Sequence, residues 1–363
     1  MTTAELVTPL VLVSEPILSR NLARMAALAR RHGVALRPHV KTHNTPQIAR
    51  RQMAAGACGV TVATLAEARA MASYGMTDIF VAREMVDRAG LVELARLGQQ
   101  VATLLAVDSR AGASLVSAVM QELGVTQNVV IEIDVGAGRC GLAAPAAALA
   151  LAREIRTLPG LCLRGLFTHE GHIYGATSRA EMAQIAAAAV QQMTDLAARF
   201  REEGIETPVV SIGSSPSAKT IAAFGDVTEV RPGNYVFNDG MQLANGTATP
   251  DDCALRVVAT VISRPTDRRA ILNVGSKLLG SDRGGSISDS GGYGRVIAPA
   301  PHLICRLYEE HAIIEGPNSL AVGQPVTFVP SHACIVANLA RELHLVDETG
   351  RVLETWPNAR FSG

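Results

Sequence analysis

From residue 15 to 245 the apolar positions follow two alternating rhythms. Short runs rich in Val, Ile and Leu, at 35–41, 59–64, 78–83, 101–107, 128–135, 161–168, 208–212 and 227–230, predict strands. Between them, 46–55, 66–74, 86–97, 112–123, 145–157, 179–203 and 217–224 carry Ala, Leu and Arg with a helical period, as does 18–31 ahead of the first strand. Eight strands alternating with helices predict a (β/α)8 TIM-like barrel. Periodicity leaves open whether the sheet closes, so a doubly wound sheet is the alternative. The Gly-x-Gly-x-x-Gly turn of a dinucleotide fold is absent after the first strand.

After about residue 250 the helical period disappears. Runs at 255–263, 269–274, 312–315, 324–329 and 342–346 read as short strands, and the Gly- and Ser-rich 280–295 reads as a loop. The expected organisation is a barrel over 15–245 and a second, mostly antiparallel β domain over 1–14 and 246–363, with 10–13 as its N-terminal strand.

Composition narrows the partners. The chain has 363 residues with Lys+Arg and Asp+Glu at 33 each, so no net charge argues for nucleic acid or an anionic membrane. Aromatic residues are only 4%, which speaks against base-stacking platforms and for a small-molecule substrate. The six cysteines are scattered, with no Cys-x-x-Cys, a pattern that fits reduced thiols in a cytoplasmic protein. Neither a secretory leader nor a membrane span is expected, because the alanine-rich 142–152 is short and contains Pro145.

Polar groups with chemistry gather at the carboxyl ends of the expected strands, where a barrel places its active site. The first strand ends in Lys41 and His43, followed by Thr45 and Pro46 as helix-start residues. A lysine in that place can form a Schiff base if its surroundings lower its pKa. The fifth strand runs into Asp134-Val135-Gly136-Ala137-Gly138-Arg139, where Asp134 is expected to hold loop backbone and Arg139 to face an anion. The sixth ends in His169 and, beyond it, His172 and Tyr174. Gly213-Ser214-Ser215-Pro216-Ser217 after the seventh strand suits an anion as well as an ordinary helix cap. A strand-end lysine together with a phosphate-type loop suggests pyridoxal phosphate. In the β domain His332 and Cys334 lie two apart. In an extended segment they would share one side and supply two ligands to a metal, although a buried structural cysteine gives the same spacing.

Together these residues resemble the D-threonine aldolase/D-serine dehydratase family, pyridoxal-phosphate enzymes of the alanine-racemase fold. The segments that carry the resemblance are 37–46, 134–141, 170–174, 213–217, 231–239, 275–282 and 330–338. The resemblance implies that Lys41 bonds the cofactor, that Arg139 contacts its phenolic oxygen, and that Tyr174 faces its pyridine nitrogen. It places Ser215, Gly233, Asn234 and Tyr235 in the phosphate segments, with Ser214 and His169 beside them. Lys41, His43 and His172 are the candidate catalytic side chains. His332 and Cys334 match the metal pair of the dehydratase branch, where the aldolase branch has His-x-Asp, with Zn²⁺ favoured over Mn²⁺ or Mg²⁺. Two positions depart from the family pattern: Ile335-Val336-Ala337 replaces Pro-Thr-Val, and Asn44 stands where Lys is usual.

The implied activity is a lyase acting on a D-3-hydroxy amino acid, of the D-serine or 3-hydroxyaspartate type, giving a keto acid and ammonia. Retro-aldol cleavage to glycine and an aldehyde is the alternative, with an amino-acid racemase and a non-catalytic cofactor carrier behind it. A homodimer is implied by the same resemblance.

Overall fold

The computed structural model describes residues 2–359, so Met1 and residues 360–363 of the expected β domain lie outside it. The first layer is a sheet of eight parallel strands, in spatial order Ala35–Leu36, Glu229–Val230, Val209–Ile212, Leu161–Thr168, Gln127–Ile133, Ala102–Val107, Asp78–Glu84 and Val60–Val62. These are the eight expected strands. The two outer members meet through a parallel bridge between His39 and Thr61, with Thr61 N–H donating to Pro38 O at 2.8 Å and Cys58 N–H to Leu36 O at 2.9 Å. Closure removes the doubly wound alternative.

The first strand is shorter than expected. Regular pairing covers Ala35–Leu36, a ladder continues through His39 N–H to Pro232 O at 3.0 Å, and Val40–Thr42 then form a tight turn. Pro38 has no N–H to give, which weakens the strand just where it must bend. Helices begin where the polar punctuation predicts. Thr64 caps Leu65–Ser73 with Glu67 reaching back, Asp87 caps Arg88–Gly98, Ser109 caps Arg110–Glu122 and Ser178 caps Arg179–Glu202.

Two layers fill the barrel interior below its mouth. Arg37 pairs with Asp78 at 2.6 Å and Glu229 at 2.9 Å. Above this, Phe80 and Phe167 meet edge to face at 5.0 Å among Leu104, Ala106 and Val130. The Arg231 guanidinium lies over both rings, 5.6 and 5.2 Å from their centroids, and forms the floor of the space above.

The second sheet has nine strands, in the order Arg269–Leu272, Ala312–Glu315, His302–Leu307, Gly294–Ala298, Pro325–Pro330, Leu255–Thr266, Leu10–Ser14, Glu342–Val346 and Val352–Pro357. Arg269–Leu272 also pairs with Leu255–Thr266, so the first six strands close on themselves. All pairings are antiparallel except that of Leu10–Ser14 with Glu342–Val346. Three strands were not expected. Gly294–Ala298 begins inside the expected loop, His302–Leu307 follows Pro299 and Pro301, and Val352–Pro357 is a largely exposed edge whose pattern lacks an apolar face. Among the described residues no helix is long and apolar enough to cross a membrane.

Candidate active site

A cavity of about 1670 Å³ opens at the carboxyl end of the barrel and is walled on its far side by the β domain. Lys41, Arg139, His169, Tyr174, Ser214, Ser215, Gly233, Asn234, His332 and Cys334 all border it. Residues from the ends of five barrel strands and from a separate sheet therefore meet in one place.

Lys41 sits in the Val40–Thr42 turn, an exposed residue on the cavity wall. Burial on its other sides lowers its pKa. The positive charges of Arg139 and Arg231 push the same way, and Cys334 works against them. His39 stands at the start of this turn, its Nδ1 3.5 Å from the Lys41 N–H, and burial keeps its imidazole neutral.

Opposite the lysine, small residues bring two backbones together. Gly213 has φ +137°, and a Cβ there would lie 2.7 Å from Arg231 N. At Gly233 a Cβ would meet Thr42 Oγ1 at 2.6 Å, so the eighth-strand loop can pass the lysine turn only as glycine. Ser214 and Ser217 close a capping box on each other. Ser217 also donates to Glu170, whose fully buried carboxylate accepts the Gly213 N–H at 3.3 Å. Ser215 Oγ accepts the Tyr235 N–H at 3.0 Å, tying the seventh-strand loop to the eighth. His169 Nδ1 lies 3.3 Å from Gly213 O, and burial lowers its pKa.

Three expected residues do not border the cavity. His43 is fully buried, with Nδ1 accepting the Thr45 N–H at 3.0 Å and Nε2 3.3 Å from Gln52 Oε1, and burial lowers its pKa to about 4. Tyr235 is also buried, its hydroxyl accepting from Gln52 Nε2 at 3.1 Å. His172 packs under the Asp134–Gly138 turn, where a Cβ on Gly136 would lie 3.2 Å from its Nε2. In that turn Asp134 Oδ1 accepts the N–H groups of Gly136, Ala137 and Gly138 at 2.9, 2.8 and 3.1 Å, the backbone-holding role expected of it. The turn delivers a half-exposed Arg139, with Nη2 3.4 Å from Glu132 Oε1.

On the β-domain wall the local structure departs from expectation. His332 is extended, but Cys334 lies in the first turn of a helix, Ala333–Leu339, rather than in a continuing strand. The two side chains still touch. Asp282 Oδ2 lies 2.7 Å from His332 Nδ1. Burial disfavours a charged His332, yet Cys334 and the Asp282 hydrogen bond carry its pKa up to about 11, while Asp282 is held down to about 2.

That helix is fastened directly to the barrel. Asn338 Nδ2 donates to Lys41 O and to Cys334 O, each at 2.7 Å, and Asn338 Oδ1 accepts from Asn44 Nδ2 at 2.6 Å. Asn44 has φ +45°, a conformation that Asn tolerates better than most residues. Cys334 Sγ is 3.5 Å from Thr42 Oγ1. Asp239 bridges the same gap, accepting from Asn234 Nδ2 at 2.6 Å and from Ala333 N–H at 2.9 Å. Asp282, Asn338, Glu170, Glu132 and Glu84 were not assigned site roles from sequence. Asp282 and Asn338 lie within segments that carried the family resemblance, which was the available signal for them.

Residues 13–239 match the family described as alanine racemase, N-terminal domain, and residues 254–346 the putative serine dehydratase domain. A D-threonine aldolase of Arthrobacter sp. is 34% identical, over 96% of this chain and 91% of its own length. The D-threo-3-hydroxyaspartate dehydratase of Delftia sp. (strain HT23) is 34% identical over 90% of each. Its solved structure superposes with a TM-score of 0.92 over 98% of both chains. Two solved variants of a D-threo-3-hydroxyaspartate dehydratase, with a histidine and a cysteine two positions apart each changed to alanine, also give 0.92, and the cysteine variant is described as metal-free. The D-threonine aldolase of Filomicrobium marinum superposes at 0.89, over 100% of this chain and 98% of its own, with 28% identity. A matched barrel model over most of the chain, a matched dehydratase domain after it and these full-length likenesses place the chain in the D-threonine aldolase/D-serine dehydratase family of the alanine-racemase fold.

Proposed function

We propose that this chain is a pyridoxal-phosphate- and metal-dependent lyase of D-3-hydroxy amino acids that works as a dehydratase, releasing a keto acid and ammonia. The observation that carries the reading is the His332–Cys334 pair facing Lys41 across one cavity, with Asn338 bonded to both sides. A histidine and a cysteine at the same spacing are the residues changed in the solved D-threo-3-hydroxyaspartate dehydratase variants.

The residues fit the cofactor. Lys41, Arg139 and Arg231 bring three positive charges to the cavity, which suits an anionic ligand carrying an aldehyde. Lys41 would hold it, with Arg139, Tyr174, His169 and the loops at Ser214, Ser215, Gly233 and Asn234 around it. When bound, pyridoxal phosphate supplies an electron sink for charge at the substrate's α-carbon. Lys41, its pKa lowered, is placed to take a proton from that carbon.

The donor set on the far wall also fits a metal. A thiol and an imidazole suit Zn²⁺, and Asp282 at Nδ1 leaves Nε2 as the coordinating nitrogen. A divalent ion there supplies a Lewis acid for the substrate's β-hydroxyl. The β domain thereby orients the leaving oxygen while the barrel handles the α-proton. The proposed assembly is a cytoplasmic homodimer.

The Arthrobacter relative favours a second reading, retro-aldol cleavage to glycine and an aldehyde at the same site. One assay separates them: purified enzyme with D-serine, D-threonine and D-threo-3-hydroxyaspartate, with and without chelator. Keto acid and ammonia that disappear with chelator support dehydration. Glycine as the main product overturns it.

A further inference from the structure

Beside Arg139, on the wall of the same cavity, two carboxyl groups come within 4.8 Å of each other. Glu84 ends the third barrel strand and Glu132 is the penultimate residue of the fifth. The fourth strand runs between them, and there Ala106 is the register partner of both Glu84 and Val130. Alternate strands of a barrel fill the same interior layer, and the small Ala106 side chain lets the two acids meet across it.

The pair is short of hydrogen-bond donors. Glu84 Oε1 is buried with no donor among the described residues, and its carboxyl lies within 4.8 Å of that of Glu132. Two ionised carboxylates this close in a partly buried place repel each other, which favours holding a proton between them. Among the described residues the one cation paired with them is Arg139, whose Nη2 is 3.4 Å from Glu132 Oε1. Cys140 Sγ lies within 4.8 Å of both carboxylates.

We propose that Glu84 and Glu132 hold a single shared proton and act together as a positioning device for Arg139, setting how firmly its guanidinium engages the anionic oxygen presented to it in the cavity. The proposal rests on the cofactor reading above. With one proton the pair carries one negative charge, matched by Arg139. Losing that proton leaves two charges that draw the guanidinium back onto the carboxylates and away from the cavity.

Burial and then Glu84 push the Glu132 pKa up, while Arg139 pulls it down. The other charged or titratable groups facing the pair are Arg231 on the cavity floor, Asp108 at the end of the fourth strand, and Cys140. Arg231 donates its N–H groups to Ser211 Oγ and Thr168 O, and burial with the two carboxylates raises the Cys140 pKa, so its thiol keeps its proton at neutral pH.

The test is a pH titration of the visible absorption band of the holoenzyme between about pH 6 and pH 10. The wild type should show a transition at neutral to mildly alkaline pH, accompanied by an about tenfold loss of cofactor affinity. Glu132→Gln should abolish the transition. Glu84→Gln should move its midpoint down, because the repelling carboxylate is gone and the amide can donate. A wild-type transition that both variants leave in place overturns the proposal, as does a flat wild-type titration. Zn²⁺ binding that survives H332A/C334A and is lost with E132Q also overturns it, because the cluster is then a metal site. A chain that gives no visible band with added pyridoxal phosphate overturns the cofactor reading instead.

Discussion

The two walls of the cavity are built by different means. On the barrel wall the functional side chains hang from strand ends and are fixed by bonds within one loop or between loops of the same rim. Asp134 holds the turn that delivers Arg139, and Ser214 and Ser217 cap one another. On the β-domain wall the fixing bonds are long-range. His332 is held by Asp282, and its helix by Asn338 and Asp239 reaching across to the barrel rim. The barrel wall should therefore keep its chemistry when the other is damaged, and the β-domain wall should fail by losing alignment.

The largest effect that separates them is at Lys41. Lys41→Ala should lower turnover by about a thousandfold or more, within the range for losing a positioned base, and remove the visible band of the loaded enzyme. Cys334→Ala should cost about a hundredfold in turnover with loss of bound metal, measured by elemental analysis, yet leave the visible band in place. A Cys334→Ala enzyme lacking both metal and band would show that the walls are not separable.

Acid should also act unequally. His43 on the barrel side is neutral in its buried place, with its pKa lowered to about 4, and burial lowers those of His39 and His169 too. The unfolded chain binds these protons near pH 6.5, so stability is fully present above that pH and falls as pH drops toward 4. His43 alone should cost about 2 kcal/mol between pH 7 and pH 5, readable in urea unfolding. In the metal-free chain His332, with its pKa raised to about 11, works the other way: it stays charged while the unfolded chain gains its proton only near pH 6.5, so it adds some stability as pH falls and offsets part of the loss. A stability that is flat from pH 7 to pH 5 would contradict the neutral burial of these histidines.

The same contrast explains what the sequence made legible. Barrel strands buried on both faces leave unbroken apolar runs, and capping residues mark several helix starts, so all eight strands could be read. His332 and Cys334 were readable as a pair because their spacing is local. Their backbone was not, since nothing in Ala333–Leu339 carries a cap or a full helical period. The role of Asn338 was invisible because its partner Lys41 lies 297 positions away. The carboxyl contact of Glu84 and Glu132 likewise exists only once alternate strands are brought into one layer. His43 and His172 looked like site residues because they neighbour the lysine and the sixth-strand end. In the fold one turns into the core and the other lies under a loop.

Asn338 is the place where the two walls can be uncoupled with least damage. Its amide bonds the lysine turn and the cysteine carbonyl at once, while Asn44 holds its oxygen. Asn338→Ala removes these bonds from a site at the cavity edge, and neither the thiol nor the lysine is touched. Metal affinity should fall about tenfold, as for other groups that orient ligands from behind, and turnover at saturating metal should fall further than affinity explains. Asn338→Asp keeps the acceptor for Asn44 but loses the donor to Lys41 O, so it should resemble alanine if the link to the lysine turn is what matters. Recovery of full turnover by excess metal in both variants would mean that the helix needs no tether, and that the β-domain wall is aligned by packing alone.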